Sequence, residues 1–161
     1  MDVSSLQEVK QELQELSPKE LLELCISLAK YKKDNKEYLG YLLFQSKDTD
    51  GFILQVKAEI DNHFVELKTQ KNLYYIKKSL RKLLRILNKY CKYMGNKSAT
   101  AEVLIYFLLK IKQAYIPIDK SVRLVNMFNA QVKKIRSVTA SLHEDLQSDY
   151  LKELDAIILR K

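Results

Sequence analysis

The residues best placed to do chemistry are lysines and arginines, because of how they recur. Lys77, Lys78, Arg81, Lys82, Arg85, Lys89 and Lys92 follow one another at short, helix-like intervals. Residues three or four apart share one face of an α-helix. At about 100° per residue the seven fall in a sector about 140° wide, and Tyr74 lies among them. Phosphate contacts from clustered cations, with an aromatic ring that can stack on a base, are the minimal footprint of nucleic-acid binding. The arrangement carries a cost: Lys77/Arg81, Lys78/Lys82, Arg81/Arg85 and Arg85/Lys89 repel by roughly a few tenths of a kcal/mol each. No Asp or Glu occurs between Glu66 and Glu102 to relieve them.

Two readings of this face compete. In one it is a solvated surface, neutralised by acidic residues from elsewhere in the fold. Glu8, Glu12 and Glu15, or Glu144, Asp145 and Asp149, could serve. In the other it is an anion-binding surface. A membrane-surface helix is disfavoured, because the apolar side of this segment has the width of a core face and spending it on lipid would unmake the fold. The wider charge distribution sharpens the choice. The net charge of +8 conceals a block, residues 67–136, with 17 Lys/Arg and 2 Asp/Glu, whereas residues 1–66 hold 8 and 13. Lys110, Lys112, Arg123, Lys133, Lys134 and Arg136 extend the basic block beyond one helix.

Other chemistries find less support. His63 and His143 are the only histidines, and neither has ligand-like spacing to a cysteine or the other histidine. His63 reads as a boundary residue and His143-Glu144-Asp145 as a polar rim near a helix end, since consecutive helical residues point in different directions. Cys25 and Cys91, the only cysteines, each lie on an apolar helix face, where a thiol behaves as a small hydrophobe. Two cysteines exclude a multi-disulfide framework and fit part-buried, reduced thiols. The glutamate groups lack the Glu-x-x-His partners of a helical di-iron site. Three scattered glycines cannot form a phosphate-cradling loop. The expectation is therefore no catalytic residue, no metal and no cofactor.

The elements that position these residues are helices. With 3 Gly, 2 Pro and a 47% hydrophobic fraction, the 161 residues favour long helices in one domain, 1–161. Ser5 with Glu8, and Ser17 with Glu20, form capping boxes, with Pro18 at a position a helix start tolerates. The second helix is expected to bury Leu21, Leu24, Cys25 and Leu28. A third starts near Asp34 and runs through Phe44, with Gly40 admitting a close helix approach. After a polar turn, 47–51, a fourth helix follows. The fifth runs from 72 to 94 and stops at Gly95, and Ser98 caps the sixth. Its run Val103 to Leu109 is apolar all round, which marks it as central. Residues 115–118 are extended, as Pro117 imposes. Asp119 caps a seventh helix with Val125, Phe128, Val132, Ile135, Leu142 and Leu146 inward. The tail 148–159 either continues it or forms an eighth.

The N-terminus has neither the basic nor the apolar region of a signal peptide, and the longest apolar run is far short of the ~20 residues of a membrane span. A cytoplasmic protein is expected. The stretches Leu16-Ser17-Pro18-Lys19-Glu20-Leu21, Ile76-Lys77-Lys78-Ser79-Leu80-Arg81-Lys82 and Leu142-His143-Glu144-Asp145-Leu146 resemble those of an uncharacterised all-helical bacterial protein family. The resemblance implies a bacterial cytoplasmic protein with no assigned activity.

The sequence thus points to an all-α bundle of seven or eight antiparallel helices, or a short α-solenoid-like stack of helix pairs. The expected function is a non-enzymatic interaction or scaffold protein that meets a protein partner, or itself, through helix surfaces. The alternative is nucleic-acid binding through Lys77, Lys78, Arg81, Lys82, Arg85, Lys89 and Lys92 with Tyr74.

Overall fold

A computed structural model describes residues 4–160. Among them the secondary structure is entirely helical: α1 (Leu6–Glu15), α2 (Pro18–Tyr31), α3 (Lys33–Phe44), α4 (Thr49–Leu67), α5 (Leu73–Met94), α6 (Lys97–Gln113), a 3-10 turn (Ile118–Lys120), α7 (Val122–Thr139) and α8 (Glu144–Leu159). The tail is a separate helix, α8, rather than an extension of α7. Packing divides the chain into two compact units, Met1–Gln45 and Ser46–Lys161.

In the N-terminal unit both capping boxes form. The Ser5 amide donates to Glu8 Oε2 at 2.7 Å and the Ser17 amide to Glu20 Oε2 at 2.8 Å. The N-cap of α3 is Lys32, which makes no side-chain cap hydrogen bond, and Asp34 lies within the first turn. Asn35 instead secures the turn, its amide donating to the Leu28 carbonyl at 2.8 Å. α2 packs against α3, yet no residue of α1 or α2 is buried and only Tyr41 of α3 is. The expected burial of Leu21, Leu24, Cys25 and Leu28 does not occur: Leu21 is half-buried, the others exposed. A Cβ at Gly40 would touch nothing within 4 Å, so close helix approach does not explain that glycine.

The second unit is a helical bundle around α6, which packs against α4, α5, α7 and α8. Val103, Leu104, Ile105, Phe107, Leu108 and Ile111 are almost completely buried. The local starts differ from expectation at three places. α4 begins at Thr49 because Asp48 accepts from the Gly51 amide at 2.9 Å. A Cβ on Gly51 would lie 2.1 Å from that carboxylate, so glycine lets the cap close. Asn96, rather than Ser98, caps α6 by accepting from the Ala99 amide at 3.0 Å, and Ser98 shares a 2.7 Å hydrogen bond with Tyr150 of α8. Asp119 sits within the 3-10 turn, and α7 starts after Ser121. The inner face of α7 is accordingly Leu124, Phe128, Gln131, Ile135 and Thr139. Val125 and Val132 are half-buried, while Leu142 and Leu146 fall beyond the end of α7.

The apolar run of α6 is interrupted on one side. Glu102, Tyr106 and Lys110, one turn apart, face Lys57 and Asp61 of α4. Lys57 Nζ lies 2.6 Å from Glu102 Oε1, Lys110 Nζ lies 2.6 Å from Asp61 Oδ1, and the Tyr106 hydroxyl donates to Asp61 at 2.9 Å. Both lysines also sit over the Tyr106 ring, at 5.3 and 5.0 Å. This seam lets a core helix carry charge, because each charged group meets its opposite where water is partly excluded.

Candidate functional site

The basic face is displayed by α5. Asn72 starts the helix by accepting from the Tyr74 amide at 2.9 Å. Gly95 ends it in the left-handed conformation, φ 59°. Ile76, Leu80, Leu83, Leu84, Leu87 and Cys91 are buried, and α5 packs against α4 and α6. The inward pull of that apolar stripe forces the opposite sector outward. Lys78, Arg81, Lys82, Arg85 and Lys92 are exposed, whereas Lys77 and Lys89 are half-buried. Tyr74 is 57% exposed, with Lys77 Nζ 5.6 Å from its ring centroid and Tyr75 edge-on at 5.4 Å.

Lys57–Glu102, Lys110–Asp61 and Arg136–Asp155 are ion pairs of the second unit that lie outside this sector. Lys77, Lys78, Arg81, Lys82, Arg85 and Lys92 enter no ion pair among the described residues. Of the acidic residues that could neutralise the face, Glu8 has its carboxylate occupied capping its own helix. That capping also holds the Glu8 carboxyl below its usual range, chiefly through the bond from the Ser5 amide.

The remaining basic residues divide in two. Lys110 is spent on Asp61, Arg136 on Asp155 at 3.1 Å, and Lys112 on the Arg160 carbonyl at 2.7 Å. Lys134 turns the other way and donates to Asn88 Oδ1 on α5 at 2.6 Å. Asn88 lies at the edge of the basic sector, so Lys134 continues the positive surface from α5 onto α7. Arg123, eleven residues earlier, projects on nearly the same side of α7 as Lys134 and is exposed, as is Lys133. Sequence order gave no means of sorting these six; contacts between helices do it.

The α4 edge of the face is closed by polar contacts. The Tyr90 hydroxyl donates to Glu59 Oε2 at 3.0 Å, and His63 Nε2 shares a 2.8 Å hydrogen bond with Ser79 Oγ. Burial pulls the His63 pKa below its ordinary value, with Glu66 opposing and Lys82 assisting. A serine beside a histidine is the start of a nucleophilic pair, but no described carboxylate hydrogen-bonds the other ring nitrogen to orient it. The pair works as a tie between α4 and α5.

His143 is exposed and caps α8, its Nδ1 accepting from the Asp145 amide at 3.4 Å. Cys25 is exposed and Cys91 buried. Burial pushes the Cys91 thiol up, away from the reactive thiolate. Among the described residues no group of three or more His, Cys, Asp or Glu is placed to hold a metal ion. No described helix is long and apolar enough to cross a membrane.

No family model matches this chain, and comparison with curated proteins and with solved structures found no significant match.

Proposed function

We propose that this protein is a non-enzymatic helical interaction module whose partner is a nucleic acid, met through the outer face of α5. One observation carries the reading: five exposed cations, Lys78, Arg81, Lys82, Arg85 and Lys92, share one helix face and none enters an ion pair among the described residues. Elsewhere in the same unit Lys57, Lys110 and Arg136 have carboxylate partners. A face that keeps several like charges together without relief is organised for a polyanion, whose phosphates supply the missing counter-charge. Lys134 and Arg123 widen the surface to two helices, and Tyr74 adds a stacking ring.

The test is salt-dependent binding of the full chain to oligonucleotides. Five phosphate contacts predict log K falling against log salt with a slope of about 3.5 on single strands and about 4.5 on duplex. Arg81→Glu with Arg85→Glu should lower affinity on the order of 100-fold and reduce the slope by about 1.4 to 1.8. Helical content should stay the same, since both side chains are exposed. Absence of binding at low salt, or binding indifferent to the double reversal, would reject the proposal.

A second reading is favoured by the N-terminal unit, where Leu22, Leu28, Leu43 and Phe44 are exposed, Phe44 at 84%. Apolar side chains in this number suit a protein-binding surface, which would make the chain a scaffold. The measurement that separates the two is binding by Phe44→Ser: nucleic-acid affinity should not move, whereas association with a protein or a second copy should weaken.

A further inference from the structure

Two helices of the second unit end in the left-handed conformation, and they do so with different residues. At the end of α5 the position is Gly95, φ 59°, where glycine meets no steric penalty. At the end of α6 it is Tyr115, φ 50°, the one non-glycine residue with positive φ among the described residues. The hydrogen bonds there are those of a Schellman stop: the Tyr115 amide donates to the Lys112 carbonyl at 3.1 Å and the Ile116 amide to the Ile111 carbonyl at 3.4 Å. Glycine would close this turn without strain. The tyrosine side chain repays nothing to the core either, because it is 85% exposed. A strained backbone held in place to present an exposed ring marks a site where the ring is used.

Its surroundings say what for. Tyr115 lines a cleft of about 360 Å3 between the α4–α5 connection and the end of α6, within the range of small-ligand sites. The walls include Leu73, Ile76, Ile116 and Pro117, and Lys68, Lys71 and Lys120 complete the rim with no carboxylate among the lining residues. Lys71 precedes α5 rather than belonging to it. The cleft therefore lies at the N-terminal end of the basic helix. Apolar walls, an exposed ring and three cations fit a flat, uncharged ring flanked by anionic groups.

We infer that this cleft takes one unstacked nucleobase, with its neighbouring phosphates on Lys68, Lys71 and Lys120, so that the partner of the α5 face is single-stranded. The inference rests on the α5 face binding nucleic acid. In duplex the base is stacked and paired, and offers no face to Tyr115; in a single strand it is free to leave the stack. Stacking on one aromatic ring is worth about 5- to 150-fold in affinity.

The experiment compares fluorescently labelled single-stranded and duplex oligonucleotides of equal length at low salt, with the full chain, Tyr115→Gly and Tyr115→Phe. The wild-type chain should prefer the single strand by about tenfold. Tyr115→Gly should remove that preference while leaving duplex binding unchanged, and Tyr115→Phe should keep it. The glycine variant should also melt about 2–4 °C higher, as its backbone strain is relieved. A single-strand preference untouched by Tyr115→Gly, or a preference for duplex, overturns the cleft assignment while leaving the α5 face standing. Binding to neither form overturns the α5 reading and the cleft with it.

Discussion

Two sides of the second unit use lysine in opposite ways. In the seam between α4 and α6, Lys57 and Lys110 each reach a carboxylate at 2.6 Å and rest over the Tyr106 ring. On the outer sector of α5 the exposed cations stand side by side without carboxylate partners among the described residues. The first arrangement lets polar groups survive against the core helix, and its charge is consumed by the fold. The second contributes nothing to the fold and lowers its stability slightly through like-charge repulsion. Charge that the fold does not use is charge available to a partner. The difference lies in which neighbour each helix face meets.

The comparison can be broken at its foundation. Leu80 is fully buried on the inner side of α5, opposite the basic sector. Leu80→Ala should cost about 3 kcal/mol in chemical denaturation, yet leave oligonucleotide affinity unchanged at temperatures where the variant is folded. A parallel loss of binding without unfolding would mean that the two sides of α5 are not separable.

The seam should respond next. Asp61 accepts from both Tyr106 and Lys110. Burial raises its carboxyl, but the Lys110 and Tyr106 hydrogen bonds outweigh burial and bring it below the ordinary carboxylate range. With its side chain 43% exposed, solvent screens the pair, and Asp61→Ala should cost about 1 kcal/mol. A depressed acid stabilises the fold above its unfolded pKa and loses that contribution as pH falls through the native value. Asp61→Asn should therefore flatten the acid limb of stability against pH. An unaltered limb would show the seam to be energetically neutral.

His63, at the border between seam and face, gives a smaller effect at milder pH. Its native pKa lies below its ordinary 6.5, so the unfolded chain binds the proton more readily. Its contribution is complete above that value and is lost as pH falls beneath it. Urea unfolding at about pH 7.5 and about pH 5.5 should show a decrease of under about 1 kcal/mol that His63→Gln removes. Equal stability at the two pH values in the wild-type chain would contradict the assignment.

The smallest effect belongs to the face itself. Lys78→Gln with Lys82→Gln removes one like-charge pair and should raise stability by a few tenths of a kcal/mol, at low salt and not at high salt. Destabilisation would reveal carboxylate partners for this face.

Much of this was legible in local sequence. The Ser5/Glu8 and Ser17/Glu20 boxes, the Gly95 stop and the amphipathic division of α5 all depend on residues within a few positions of one another, and each is present. Burial was less legible. Leu24, Cys25 and Leu28 share an apolar face of α2 as Leu80, Leu84 and Leu87 do on α5, yet only the second set is buried. Periodicity states which side of a helix prefers to leave water; it does not state that another element arrives to cover it. The starts of α4 and α6 are ambiguous in the sequence for a related reason, since Asp48 and Asn96 compete with nearby residues of similar capping chemistry.

The sequence by itself determined that the chain is helical, that α6 is the most apolar segment, and that seven cations share one sector of α5. Those properties follow from i to i+4 relationships, which any helix must honour. Tertiary structure decided which cations are left over, sending Lys110 to Asp61, Arg136 to Asp155 and Lys134 to the α5 edge. It also set Tyr115 in a left-handed turn beside Lys68, Lys71 and Lys120. Partners 19 to 49 residues apart in sequence are brought together only by packing, and no local pattern encodes that choice.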